Sequence, residues 1–152
     1  MLRSVLLAFS AVVVVAAIAV GPLGIGTGEA AEDGASVTLE SAPEDGVALE
    51  RGRFGSGRYH VDAPPAVATV GNVTGSPTLR YTVDIPAAGF AVTSRYDLAT
   101  NHGRLRMGAN PATVSPHRIE RSSYEGTISV WLRTGDRDRA LLQRTVTVEV
   151  RE

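Results

Sequence analysis

The chain opens on an unbroken apolar run and then changes period. Between Arg3 and Glu29 no residue carries a charge, and within residues 5–20 the only hydroxyl is Ser10. Such a run predicts a helix, the conformation in which every backbone group is satisfied internally and which lipid accepts. Gly21-Pro22 predicts its end, because proline supplies no amide proton to the helical ladder, and a Gly-rich tail follows to Gly28. Beyond this the apolar positions alternate with polar ones. Leu79, Tyr81, Val83 and Ile85 fall on one face, with Thr78, Arg80, Thr82 and Asp84 on the other, the pattern of a half-buried strand. Pro86-Ala87-Ala88-Gly89 predicts a turn into residues 90–98, where Phe90, Val92, Ser94, Tyr96 and Leu98 share a face. Residues 124–132 place Tyr124, Ile128, Val130 and Leu132 together, and residues 145–150 repeat the alternation with Val146, Val148 and Val150. The polar stretch 134–138 between them predicts a terminal hairpin.

Weaker signals fill the rest. Residues 58–62 and 66–70 read as strands ended by Pro64-Pro65 and by Gly71-Asn72, and residues 104–107 as another. Short strands are expected at Thr113-Val114 and at 117–120. Residues 29–57, rich in Glu, Asp, Gly, Ala and Ser, read as an acidic spacer holding one short strand at 36–40. The expected organisation is an apolar segment at 1–28, a spacer at 29–57 and one β domain at 58–152.

Two readings of the apolar segment stay open, a cleaved signal peptide ending near Ala30 and an uncleaved membrane anchor. Arg3 before the run and Glu29, Glu32 and Asp33 after it orient the N-terminus inward. Either way the remainder is expected outside the cytoplasm, membrane-anchored or secreted. There is no cysteine, so no disulfide supports the fold.

The net charge of −1 hides an uneven distribution. Residues 29–50 hold seven carboxylates and no arginine, whereas residues 51–152 hold fourteen arginines against nine carboxylates. Every basic residue is arginine. A GC-rich coding bias accounts for that, and bidentate anion contacts are the alternative.

The Tyr124-x-Gly126-x-Ile128-x-Val130 strand, the Gly135-Asp136 turn and the ending Thr145-Val-Thr-Val-Glu-Val150 resemble the last hairpin of immunoglobulin-like modules of exported microbial proteins, of the polycystic-kidney-disease or cell-adhesion type. Tyr124, two positions before Gly126, also resembles the tyrosine of a Greek-key corner, whose hydroxyl ties back to backbone. The resemblance implies an all-β fold, a single antiparallel immunoglobulin-like or fibronectin-like sandwich of about seven strands, and an adhesion or scaffold role. It implies no catalytic residue.

Candidate chemistry is sparse. His60, His102 and His117 lack the spacing that puts two on one metal, and no Gly-x-Ser-x-Gly elbow presents a nucleophile. Asp136 and Asp138 offer two carboxylates where calcium needs six or more oxygens. Residues 51–58 (RGRFGSGR) have the arginine-glycine-aromatic mix of single-strand nucleic-acid binders, but one copy outside a cell reads as a loop. No cofactor, metal, nucleic-acid partner or enzymatic activity is expected; the least favoured alternative is an extracytoplasmic hydrolase. Two residues remain. Asn72 heads an Asn-Val-Thr glycosylation sequon in a predicted loop. Trp131, opposite in face to Val130 and Leu132, is expected to point outward as a contact surface for an envelope protein or a surface polysaccharide. An accessory subunit of a larger envelope complex is the alternative role.

Overall fold

The computed structural model describes residues 34–52 and 57–152. The apolar segment and its predicted helix lie outside the described residues. Ten strands are present: β1 (Gly34–Ser41), β2 (Ala48–Arg51), β3 (Tyr59–Asp62), β4 (Ala66–Thr74), β5 (Thr78–Ile85), β6 (Phe90–Asp97), β7 (Gly103–Met107), β8 (Thr113–Val114), β9 (Ser123–Thr134) and β10 (Arg137–Arg151). They form a three-stranded sheet, β1-β4-β7, and a seven-stranded sheet, β6-β5-β9-β10-β2-β3-β8. Every pairing is antiparallel except that of β10 with β2. The described residues are all-β, in more strands than the seven expected.

The two strongest alternations fold as their patterns predict. Leu79, Tyr81, Val83 and Ile85 of β5 are fully buried. Pro86–Ala88 closes one 3-10 turn, and Gly89, at φ +61, takes the left-handed conformation that lets β6 reverse direction. The terminal hairpin turns on two residues, Gly135 and Asp136, with Thr134 opposite Arg137. Gly135 has φ +56, as a primed two-residue turn requires. The hairpin runs longer than expected because residues 137–144 are strand; a bulge at Leu141 absorbs the break in alternation there.

Three expectations need correction. Residues 29–57 are not a spacer where they are described. β1 pairs along β4, β2 lies inside the seven-stranded sheet, and Val47, Ala48 and Leu49 are buried. Acidic neighbours masked a short apolar run that a strand of four residues suffices to bury. Residues 117–120 hold no strand, because Pro116 starts a 3-10 turn through Arg118. β4 does not stop at Gly71-Asn72 but continues to Thr74, bulging against β1 between the pairs Ser36–Gly71 and Gly34–Thr74.

Both sheets contribute to one core. Ala66, Ala68, Val70, Leu105 and Met107 of the smaller sheet pack with Leu49, Tyr81, Val83, Ile128, Val130 and Val148 of the larger. The larger sheet coils so that its outer strands approach each other. Ser94 Oγ of β6 accepts a hydrogen bond from Asn110 N at 2.7 Å, and three residues further on Thr113 belongs to β8 at the opposite edge. Three residues span at most about 11 Å. Arg118 Nη1 reaches Gly89 O at 2.7 Å across the same gap.

Tyrosine hydroxyls secure chain that no ladder holds. Tyr81 Oη donates to Pro64 O at 3.1 Å, and its burial, then the nearby Tyr96, push the phenol up to about 12, so it keeps its proton and the bond at neutral pH. Tyr96 Oη donates to Gly108 O at 3.0 Å and accepts from Gly108 N at 2.9 Å. Tyr124 Oη accepts from Glu120 N at 2.7 Å and Arg121 N at 3.2 Å, and lies 3.3 Å from Arg118 O as donor. This is the tie to upstream backbone that the position of Tyr124 predicts. Tyr124→Phe strands two amide protons and should cost about 1–3 kcal/mol in urea unfolding. Tyr59→Phe, which removes a hydroxyl with no such bonds, should stay within about 0.5 kcal/mol of the parent; equal losses would show that the hydroxyl ties do not matter.

Candidate functional site

Alternation fixes what each strand of the larger sheet turns outward, and register fixes which of these residues stand side by side. Across β6, β5, β9 and β10 the outward positions fall in rows. Arg95, Arg80, Trp131 and Ala140 make one row, and Thr93, Thr82, Ser129 and Gln143 the next. On the other side of the tryptophan row lie Asp97, Thr78, Arg133 and Asp138. Three arginines, two aspartates, four hydroxyl residues, Gln143 and Ala140 surround one indole.

Trp131 faces outward from β9 and is half-buried, while Val130 and Leu132 on either side are buried. It lines a shallow depression with Arg80, Thr82, Thr93, Ser129 and Asp138. Thr82 and Thr93 share a hydrogen bond of 2.9 Å across β5 and β6. Arg80 Nη2 donates to Asp138 Oδ2 at 2.7 Å, and its Nε is buried without a hydrogen-bond partner. That pair ties the centre of the face to the hairpin and fixes the guanidinium beside Trp131. Asp138, considered in the sequence for calcium, therefore binds a guanidinium instead.

The other sequence-derived candidates stand apart from this face. Asn72 sits on β4 and not in a loop; it is exposed, has φ +50, and its Nδ2 lies 3.4 Å from Ser36 Oγ. A left-handed asparagine relieves the bulge there, which gives the residue a backbone role independent of any sugar. His60 is on β3, His102 in the turn before β7, and His117 in the 3-10 turn after β8. Among the described residues no three His, Cys, Asp or Glu side chains gather as metal ligands. Residues 53–56 of the arginine-glycine stretch lie outside the described residues; its ends close the β2–β3 hairpin, with Gly52 N donating to Arg58 O at 2.9 Å.

Sequence reasoning put Thr78, Arg80, Thr82 and Trp131 on outward faces. It missed Arg95 and Thr93 of β6 as their neighbours, because cross-strand adjacency depends on register and strand order.

Trp131 is the only tryptophan, so its fluorescence reports this face directly. Emission should lie to the red of a buried indole and be quenched by acrylamide in the folded protein. Blue emission resistant to the quencher would remove Trp131 from the surface.

No family model matches the chain, and no curated protein does. Among solved structures it is similar to the crystal structure of ACE19, the collagen binding subdomain of the Enterococcus faecalis surface protein ACE, at 11% identity, over 72% of this chain and 98% of that one. The TM-score is 0.25, too low a likeness to bear on the ligand of this chain. No helix among the described residues is long and apolar enough to cross a membrane.

Proposed function

We propose that this chain is an immunoglobulin-like, non-catalytic binding domain of the cell envelope, carried to the outside by its N-terminal segment, which it keeps as an anchor or loses as a signal. It acts by contact through the outer face of β6, β5, β9 and β10. The partner is an envelope protein or a surface polysaccharide.

Strand order supports the immunoglobulin-like reading. The run β6-β5-β9-β10 matches the order C′-C-F-G of variable-type domains, and β1-β4-β7 matches A-B-E on the facing sheet. Tyr124 then stands at the start of the F-equivalent strand with its hydroxyl on upstream backbone, where these domains carry their tyrosine corner. The β2–β3 hairpin and β8 are additions at the far edge of the larger sheet.

The observation that carries the contact role is Trp131, half-buried on an outward face of hydroxyls and arginines, where it lines a shallow depression. A rigid ring that buries a large area is the residue type on which binding energy concentrates. A catalytic reading has less to work with, since the one carboxylate lining the depression, Asp138, is engaged by Arg80. The accessory-subunit reading draws on another feature: β1 and β7 are the outer strands of the smaller sheet, and their free edges suit strand addition by a protein partner.

Co-sedimentation of the purified full chain with isolated cell-envelope material tests the proposal. Trp131→Ala should weaken association at least about tenfold while leaving the unfolding midpoint near that of the parent. Undiminished binding by the folded variant would exclude this face.

A further inference from the structure

One corner of the face is chemically distinct. Where β5 begins, beside the end of β6 and the tip of the β9–β10 hairpin, Ser76, Thr78, Arg95, Arg133 and Gly135 line a shallow notch. Its two guanidiniums have little to satisfy them. Arg95 is exposed and forms no ion pair or hydrogen bond among the described residues. Arg133 donates only from Nε, to Gly135 O at 3.4 Å, which leaves its Nη donors unused. Of the carboxylates nearby, Asp136 adjoins Gly135 and forms no ion pair among the described residues, and the other two have partners. Asp138 is held by Arg80, and Asp97 accepts the Ala99 amide at 2.9 Å. No acid lines the notch itself. Two arginines and two hydroxyls around an open space, without an internal anion, make a receptor for an external one, and the planar guanidinium fork favours a carboxylate.

The surroundings select what carries that carboxylate. Trp131 lies two residues from Arg133 on the same face of β9, about 7 Å along the strand. The hydroxyl row Thr93–Thr82–Ser129 lies beyond it. A free inorganic anion would use the notch alone. An acidic peptide would gain most by pairing with a sheet edge, whereas the backbone of this face is already paired within the sheet. A chain of sugar rings uses the whole arrangement: the C–H face of a ring on the indole, ring hydroxyls on the threonines, and a carboxylate in the notch.

We infer that the Arg95–Arg133 notch is the anion subsite for an acidic, uronate-type polysaccharide, with the carboxylate of one sugar held there while a neighbouring ring lies on Trp131. This rests on the reading of the face as the contact surface and names the ligand class it takes.

The test follows Trp131 fluorescence of the full-length chain during titration with polygalacturonate, its methyl ester and poly-L-glutamate. Polygalacturonate should give a saturable change, with the ester and the polypeptide each at least about tenfold weaker. Arg95→Gln and Arg133→Gln together should cost on the order of tenfold in affinity for the acid form. Both residues are exposed, and unchanged emission of the free variants will show that the face is intact. If the ester binds as tightly as the acid and the arginine variants bind normally, the anion subsite is wrong while the contact face stands. Equal binding of poly-L-glutamate overturns the sugar assignment. No response to any polymer overturns the inference, and the contact face is then judged separately by co-sedimentation of Trp131→Ala.

Discussion

The larger sheet depends on one short joint, the parallel pairing of β2 with the end of β10. Ala48, Leu49 and Glu50 stand opposite Glu149, Val150 and Arg151, and Glu149 N donates to Val47 O at 3.1 Å. Without it the sheet is two pieces, the β6-β5-β9-β10 platform and the small β2-β3-β8 group. The joint brings together residues some hundred positions apart, so closing it costs chain entropy that burial must offset. Val47 and Leu49 enter the core at this seam beside Val148. Arg151 spans the edge, with contacts of 3.3 Å to both Glu50 and Glu149. These exposed ion pairs add little stability and serve mainly to hold register.

The platform owes its rigidity to its own long pairings. β9 is its spine, with β5 and β10 paired to it along most of its length. Gly126 allows the close approach on which this depends: a Cβ there would lie 2.9 Å from Val148 Cγ2 and 3.1 Å from Asp84 O. The inner face is fixed by fully buried Leu79, Tyr81, Val83, Ile128 and Val130. The outer face therefore presents Trp131 and its neighbours from a backbone with little freedom to adjust, which lowers the ordering cost of binding. Tyrosine hydroxyls extend the same control to the connecting segments around Pro64, Gly108 and Glu120.

Legibility in the sequence followed the range of each interaction. The β5–β6 and β9–β10 hairpins were legible because alternation, turn residues and pairing all lie within adjacent segments. Tyr124 was legible because its partners are three to six residues upstream. β2 was not, since four residues among acids carry almost no periodic signal and their partner is at the opposite end of the chain. The continuation of β4 was hidden by Gly71-Asn72, which reads locally as a stop and in the structure marks a bulge. The outward aspect of Trp131 came from its own strand. Its placement beside Arg80, and near the Arg95–Arg133 notch, required the order of three strands, β6, β5 and β9.

The proposed contact face is the platform around Trp131. Hydroxyl-radical footprinting of the full-length chain, free and bound to cell-envelope material, addresses it most directly because it reads every side chain at once. Binding should protect Trp131 strongly and leave Leu39 of β1 and Arg106 of β7 at their unbound reactivity. Unchanged labelling of Trp131, with protection appearing instead along β1 and β7, would contradict the claim and place the contact on the edges of the smaller sheet.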